Sequence, residues 1–184
     1  MRRKFILVGG IMIFGDKDIY AIEVYHEPQY NSAYYMSGRM CLFLNGVMFG
    51  DIDDPCNVLG VTYANLLRVV KNVDGMMNNF TLKTDKEIFI FLDTKLYNGD
   101  DEGSYEQAIE DGKAYGKFDF LTNGGVMFDR TKSFIYLDDF DIIHILYQFE
   151  DRQIYSAYVN KDIFLKITSE FFEWFDKIKK LYPE

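Results

Sequence analysis

The sequence has few of the residues from which enzymes build catalytic and metal sites. It contains two cysteines, two histidines, one tryptophan and three prolines in 184 residues. His26 and His144 are distant in sequence, and the H-x-x-x-H, H-E-x-x-H, G-x-S-x-G and G-x-x-x-x-G-K-[ST] motifs do not occur. These absences argue against zinc hydrolases, serine hydrolases of that type and P-loop nucleotide-binding proteins. They give no reason to expect a cofactor.

Cysteine usage fits an intracellular protein. Neither Cys41 nor Cys56 belongs to a C-x-x-C pair. We interpret both as free thiols in a reducing cytosol, where disulfides are rare. A Cys41–Cys56 disulfide is the alternative that the sequence leaves open.

The sequence also has no apolar run long enough to span a membrane. The run Phe5–Phe14 follows the basic residues Arg2–Lys4 and so imitates a signal peptide. Glycines interrupt it, no small-x-small cleavage site follows before Asp16, and a bilayer span needs about 20 residues. We therefore expect a cytoplasmic protein that does not associate with membranes.

Basic residues are fewer than acidic residues. Twenty-nine acidic residues stand against 20 basic ones, which gives a net charge of −9. Nucleic acid and anionic membranes are disfavoured as partners because both need clustered Lys and Arg. The partner that this charge would attract is a basic protein.

Apolar and aromatic residues are abundant. Hydrophobic residues make up 48% of the chain, with 17 Phe and 14 Tyr, so a sizeable core is expected. No linker rich in Pro, Gly or Ser divides the chain. We predict one domain over residues 12–184, with residues 1–11 as an N-terminal extension or a mis-called start.

The first half of the chain carries clear local signals. Residues 19–26 are rich in Ile, Val and Tyr and predict a strand. Arg39–Leu44 and Val47–Phe49 predict a hairpin, because Asn45-Gly46 suits the two positive-φ positions of a type I′ turn. The apolar spacing over residues 58–72 predicts a helix.

The next segment has two readings. Thr84 and Glu87 match a capping box and favour a helix over residues 85–97. Phe89 and Phe91 would also suit a strand. We prefer the helix because of the cap.

The second half predicts several strands and a closing helix. Ser104 and Gln107 indicate one short helical turn that Gly112 stops. A helix over residues 161–180 begins after Asn160 as N-cap, with apolar residues at spacings of three and four. The strand candidates are Phe118–Leu121, Val126–Phe128, Ser133–Asp138, Ile142–Glu150 and Ile154–Val159.

These elements predict a single α+β domain. Strands and helices are not in regular alternation, so a twisted, mostly antiparallel sheet covered by helices is expected. The long C-terminal helix packs on that sheet with its aromatic face.

The start of the chain resembles family forty-two of the immunity proteins in bacterial polymorphic toxin systems. That family begins with a short strand, a Gly-Asp or Gly-Asn turn and an aromatic-Ala-Ile strand, which correspond to Gly15-Asp16 and Tyr20-Ala21-Ile22 within the block Met12–Val24. A glycine-flanked hairpin, Gly38–Gly50, then precedes a helix. The family commonly has Pro after the Gly-Asp pair, whereas this chain has Lys17.

The resemblance implies a protein that binds a cognate toxin domain of a polymorphic toxin or contact-dependent growth inhibition system. Inhibition would occur by stoichiometric occlusion of the toxin's active or substrate-binding surface. No catalytic residues come with the resemblance. Many such toxins are nucleases, so a basic toxin is expected.

One acidic segment is the candidate partner-binding site. Residues 98–111 contain six acids and no Lys or Arg, and without them the balance is 23 acidic against 20 basic residues. A solvated loop is the simpler interpretation of such a run. A toxin-binding role adds two tyrosines as anchors. The predicted site residues are Tyr97, Asp100, Asp101, Glu102, Tyr105, Glu106, Glu110 and Asp111.

Two other functions remain as alternatives. Asp138, Asp139 and Asp141 with His144 imitate a metal-dependent hydrolase, because paired carboxylates can hold a cation that activates water. A charged connection between strands is the favoured interpretation of that sequence. The other alternative is a general adaptor that binds a different protein through exposed tyrosines.

Overall fold

Two antiparallel sheets and four α-helices form the part of the chain that the computed structural model describes, residues 10–31, 35–53, 57–77, 80, 84–97 and 105–182. This confirms the predicted α+β class with its antiparallel strands and long C-terminal helix. The strands are β1 (Ile11–Asp16), β2 (Tyr20–His26), β3 (Ser37–Leu44), β4 (Val47–Phe49), β5 (Asn57–Val58), β6 (Lys132–Leu137), β7 (Ile142–Gln148) and β8 (Ile154–Asn160). The helices are α1 (Leu59–Asn72), α2 (Asp85–Leu96), α3 (Tyr105–Tyr115) and α4 (Lys161–Lys179).

The first sheet has the order β1-β2-β3-β4, with β5 paired to the start of β3. Asn45 and Gly46 have φ values of 50° and 82°, so the predicted two-residue hairpin turn is confirmed. Of the predicted extension 1–11, Ile11 lies in β1 and pairs with Tyr25 of β2. Residues 1–9 lie outside the described ranges.

The turn between β1 and β2 has the predicted form. Gly15 has a φ of 92°, and Asp16 Oδ1 accepts a hydrogen bond of 2.9 Å from the amide of Asp18. Lys17, where the family commonly has proline, forms an ion pair with the buried Glu23 of β2. Its ammonium also lies 4.2 Å from the ring centroid of Phe43. The lysine therefore neutralises a carboxylate on the outer face of the sheet.

Helix α4 lies across the inner face of the first sheet, as its aromatic stripe predicted. Phe164 contacts Tyr20 of β2 with ring centroids 5.0 Å apart, and Phe171 contacts Phe14 of β1 at 6.0 Å. Asn160 Oδ1 accepts hydrogen bonds from the amides of Asp162 and Ile163, so the predicted N-cap is confirmed.

The second sheet, β6-β7-β8, has a covered surface on both sides. On one side Tyr147 packs against Phe49 of the first sheet at 5.3 Å, and on the other Phe134 packs against Phe89 of α2 at 5.1 Å. Phe134 pairs with Leu146, the neighbour of Tyr147, so these contacts are on opposite faces.

Thr84 and Glu87 make the two reciprocal hydrogen bonds of the predicted capping box, which confirms that α2 is a helix.

Two predicted strands are wrong. Residues Gly116–Phe118 and Val126–Phe128 form 3₁₀ turns, and Asp119 makes only an isolated bridge to Phe134. The aromatic side chains in these turns are buried by distant contacts, such as Phe128 against Phe49 at 5.3 Å. A short apolar run is buried in a strand or in a turn alike, so its composition does not distinguish them.

The prediction of one short helical turn at Ser104–Gln107 is also wrong, because the helix there is longer. Ser104 lies outside the described residues, and α3 continues through Gly112 to Tyr115. An internal glycine costs about 1 kcal/mol relative to alanine. Contacts with α2 offset this, since Asp111 bonds Lys95 at 3.1 Å and Tyr115 packs on Phe91 at 5.1 Å.

Cys41 is a buried free thiol on β3, and burial raises its pKa to about 12. Such a thiol is unreactive at neutral pH. Cys56, its proposed disulfide partner, lies outside the described residues.

Candidate functional site

The predicted acidic site spans the start of α3 and the segment before it. Asp100, Asp101 and Glu102 lie outside the described residues. Tyr97, Tyr105, Glu106, Glu110 and Asp111 are described, and the fold divides them into an outward and an inward group.

The outward group forms one exposed strip of α3. Tyr105 is 79% exposed, and Glu106 and Glu110 are exposed one helical turn apart. Ile109, one turn after Tyr105, is also 39% exposed. We call Tyr105, Glu106, Ile109 and Glu110 the α3 strip. It sets two apolar side chains beside two carboxylates, a combination suited to protein recognition.

The inward group, Tyr97 and Asp111, has its polar atoms bonded within the fold, although Tyr97 is 37% exposed. Asp111 accepts hydrogen bonds from Lys95 and Gln107, both at 3.1 Å, so its charge is used between α2 and α3. Tyr97 donates to Asp119 Oδ1 at 2.8 Å, and the Lys132 ammonium lies 5.6 Å from its ring centroid. Burial and the Asp119 carboxylate raise the pKa of Tyr97. Asp111 therefore joins α3 to α2, and Tyr97 joins the end of α2 to Asp119.

The second predicted cluster, around His144, is a hydrogen-bonded network. His144 Nε2 lies 3.1 Å from Asp138 Oδ2, and Nδ1 lies 2.7 Å from the Tyr136 hydroxyl and 3.3 Å from Asp85 Oδ1. The hydroxyls of Tyr136 and Tyr158 donate to the two oxygens of Asp85 at 2.7 and 2.6 Å. The network joins the first residue of α2 to all three strands of the second sheet.

The network favours a charged imidazolium between two carboxylates. Burial alone would lower the pKa of His144, but its hydrogen bonds to Asp85 and Asp138 outweigh burial and raise it. Burial would likewise raise the pKa of Asp85, yet the bonds from His144, Tyr158 and Tyr136 lower it. Burial and the Asp85 carboxylate together raise the pKa of Tyr136.

The side-chain atoms that would bind a metal ion in a hydrolase already form hydrogen bonds within the fold. Both nitrogens of His144 face partners, and Asp138 Oδ1 accepts the amides of Phe140 and Ile142 at 2.9 Å each. Asp141 bonds Lys161 rather than joining the histidine. Among the residues that the structure describes, no three His, Cys, Asp or Glu side chains are placed to hold a metal ion.

Sequence reasoning missed several members of these sites. Ile109 follows Tyr105 by four residues, and a helical reading of α3 would have placed both on one face. Asp85 is 59 residues from His144, and no local pattern joins them. Tyr136 and Tyr158 are cross-strand partners of His144, which a correct strand register would have revealed.

Within the described ranges, no helix combines the length and apolar character that crossing a membrane requires. The exposed surface of the described residues includes the acidic helix α3 and apolar side chains such as Tyr105 and Phe140. Fold and site together define a protein whose polar clusters support the structure and whose surface suits a protein partner.

The chain belongs to the family Immunity protein 42, whose family model matches residues 12–174. It is therefore an immunity protein, a member of a class that neutralises toxins. The fold is similar to that of the solved structure of CdiI from Burkholderia dolosa AUO158, with a TM-score of 0.61 and 13% sequence identity over 88% of this chain and 99% of that chain. A search of curated proteins found no match.

Proposed function

We propose that this protein neutralises its toxin by binding the toxin domain one-to-one and covering the active or substrate-binding surface. The family match over residues 12–174 is the observation that carries the proposal. Occlusion needs a stable folded surface and no chemistry of its own. The protein acts in the cytoplasm of the cell that it protects.

The proposed toxin is basic, and a nuclease fits best. A nuclease attracts phosphates with Lys and Arg, and the same charges attract an acidic protein surface. The net charge of −9 and the six acids in residues 98–111 support this partner.

We assign the first contact with the toxin to the α3 strip and the acidic residues before it, Asp100, Asp101 and Glu102. Their charges act over a distance of about 10 Å at 0.1 M salt and so mainly raise the rate of association. Asp111 bonds Lys95 of α2 and Tyr97 bonds Asp119, so these two side chains stabilise the elements next to the α3 strip.

The test is to titrate the toxin domain encoded next to this gene into the protein by calorimetry, with association kinetics at 50 and 300 mM salt. Nanomolar one-to-one binding is expected. The double reversal Glu106→Lys/Glu110→Lys should slow association about tenfold or more at low salt and much less at high salt. Both residues are exposed, so the fold should tolerate the change.

The matched control is Glu170→Lys/Glu173→Lys on the exposed side of α4, which changes the net charge equally. It should slow association much less. Tight binding with equal effects of both reversals would remove the α3 strip from the interface and leave the immunity function. No binding by the unaltered protein would contradict inhibition by direct binding.

A further inference from the structure

The turn between β6 and β7 displays an aromatic side chain to solvent. Phe140 is 84% exposed, the largest exposed fraction among the large apolar side chains that the structure describes. Most of the other phenylalanines in the described ranges are buried or half-buried in the core. A phenylalanine exposed to this extent contributes little to the packing of the core and is available for a contact with another molecule.

The turn that carries Phe140 is held in one conformation. Asp138 Oδ1 accepts the amides of Phe140 and Ile142, and the amide of Asp138 donates to the carbonyl of Ile142 at 3.0 Å. The other oxygen of Asp138 bonds His144, which ties the turn to α2 through Asp85. An anchor fixed before binding loses little conformational entropy in the complex.

Acidic residues lie on both sides of Phe140 in the chain. Asp139 and Asp141 flank Phe140 in sequence and are exposed. Lys161 bonds Asp74 at 2.7 Å and lies 3.5 Å from Asp141, which brings Asp74, 82% exposed in its side chain, to the same side of the molecule. Lys161 thus pairs with two of these three carboxylates, and the four side chains together carry a net negative charge.

Further apolar surface adjoins the turn. Met77, 49% exposed, forms a bridge with Leu137, the residue directly before Asp138. Tyr158, 50% exposed, packs edge-on against His144 with ring centroids 4.9 Å apart. The turn and the residues next to it thus combine exposed apolar side chains with carboxylates, the chemistry that a protein partner with apolar and basic side chains complements. The apolar members are Phe140, Met77 and Tyr158, and the acidic members are Asp74, Asp139 and Asp141. We call these six residues the Phe140 patch.

We infer that Phe140 is the aromatic anchor of the toxin interface, seated in an apolar pocket that basic side chains of the toxin domain surround. This rests on the proposed toxin-binding function. The α3 strip and the Phe140 patch lie at different ends of α2, since Asp85 is its first residue and Lys95 is in its last turn. The first surface speeds the encounter, and the second slows dissociation.

The test is surface plasmon resonance with the toxin domain encoded next to this gene, comparing Phe140→Ala with the unaltered protein. We expect the dissociation rate constant to rise at least about 20-fold, as for a hot-spot residue, with the association rate constant changed less than about threefold. Phe140→Trp should restore slow dissociation. Tyr30→Ala removes an aromatic side chain that is 54% exposed in the Pro28–Tyr30 turn, and should leave both rate constants unchanged.

The outcomes separate the two proposals. Tight binding by the unaltered protein with unchanged dissociation of Phe140→Ala would overturn the anchor and leave the toxin-binding function standing. No binding by the unaltered protein would overturn both. A dimer that Phe140→Ala converts to a monomer in light scattering, with toxin binding intact, would assign the patch to a second copy of this chain and overturn the inference.

Discussion

At the scale of single residues, His144 makes the second sheet sensitive to pH. Its pKa is raised in the folded protein, so the stability that it contributes is fully present below the pKa of an unfolded histidine, about 6.5, and is lost as pH rises through the folded-state pKa. The lowered pKa values of Asp85 and Asp138 act at the acid end. Their contribution is present above the unfolded value of about 3.9 and is lost as pH falls through the folded-state values.

We therefore predict that His144→Gln lowers the free energy of unfolding most below about pH 6.5, and progressively less as pH rises above that value. Urea denaturation of both proteins between pH 5 and 8.5 measures the difference. His26→Gln is the control with the opposite sign, because burial lowers the pKa of His26 and its contribution is lost as pH falls. A His144→Gln effect that is constant over this range would contradict the charged network.

At the scale of the elements, Gly112 and Gly50 differ in whether the backbone requires glycine. Gly112 lies inside α3, and a Cβ added there meets no atom within 4 Å. Gly50, just after β4, has a φ of 106°, and an added Cβ would lie 2.8 Å from Phe128 Cε1. Gly112 therefore occupies an open helical position, whereas Gly50 occupies a left-handed conformation that favours glycine.

Gly112→Ala should raise the free energy of unfolding by about 0.5–1 kcal/mol, because alanine loses less backbone entropy in a helix. Gly50→Ala should lower it, since the backbone is strained and the ring of Phe128 must move. Guanidinium denaturation of the two variants gives the comparison. A destabilising Gly112→Ala would mean that α3 does not continue through this position in solution.

The elements also show which sequence signals were sufficient. The Thr84–Glu87 box and the Asn160 cap bond within three residues in the chain, and the Asn45-Gly46 turn is specified by the positive φ values of its two residues. Local geometry therefore fixes them wherever the fold places them. The Val126–Phe128 run has no such cap or hairpin signal, and Phe128 packs on Phe49, a residue far away in sequence.

At the scale of the whole molecule, α4 joins the two halves of the core. Phe164 is fully buried, and its ring centroid lies 5.0 Å from that of Tyr20 in the first sheet and 6.4 Å from that of Phe120. Phe120 follows Asp119, which forms the isolated bridge to Phe134 of the second sheet. The two sheets share this packing, so they are expected to unfold together.

Phe164→Ala should lower the free energy of unfolding by about 3–5 kcal/mol, because it removes buried apolar surface and leaves a cavity. Phe140→Ala deletes the same atoms at an exposed position and should change stability by less than about 0.5 kcal/mol. Near-ultraviolet and far-ultraviolet circular dichroism should report one coincident transition. Two separated transitions in the unaltered protein would contradict a shared core.

The sequence by itself determined the α+β class, the strands with clear alternation, the capped helices and the family, because these depend on periodicity and on residues close together in the chain. The tertiary structure alone decided which side chains are bonded within the fold and which face solvent. Asp111 is bound to Lys95 and His144 to Asp85, whereas Glu106, Glu110 and Phe140 face solvent. The partners of Asp85 lie 51 to 73 residues away in the chain, and only packing brings them within hydrogen-bonding distance.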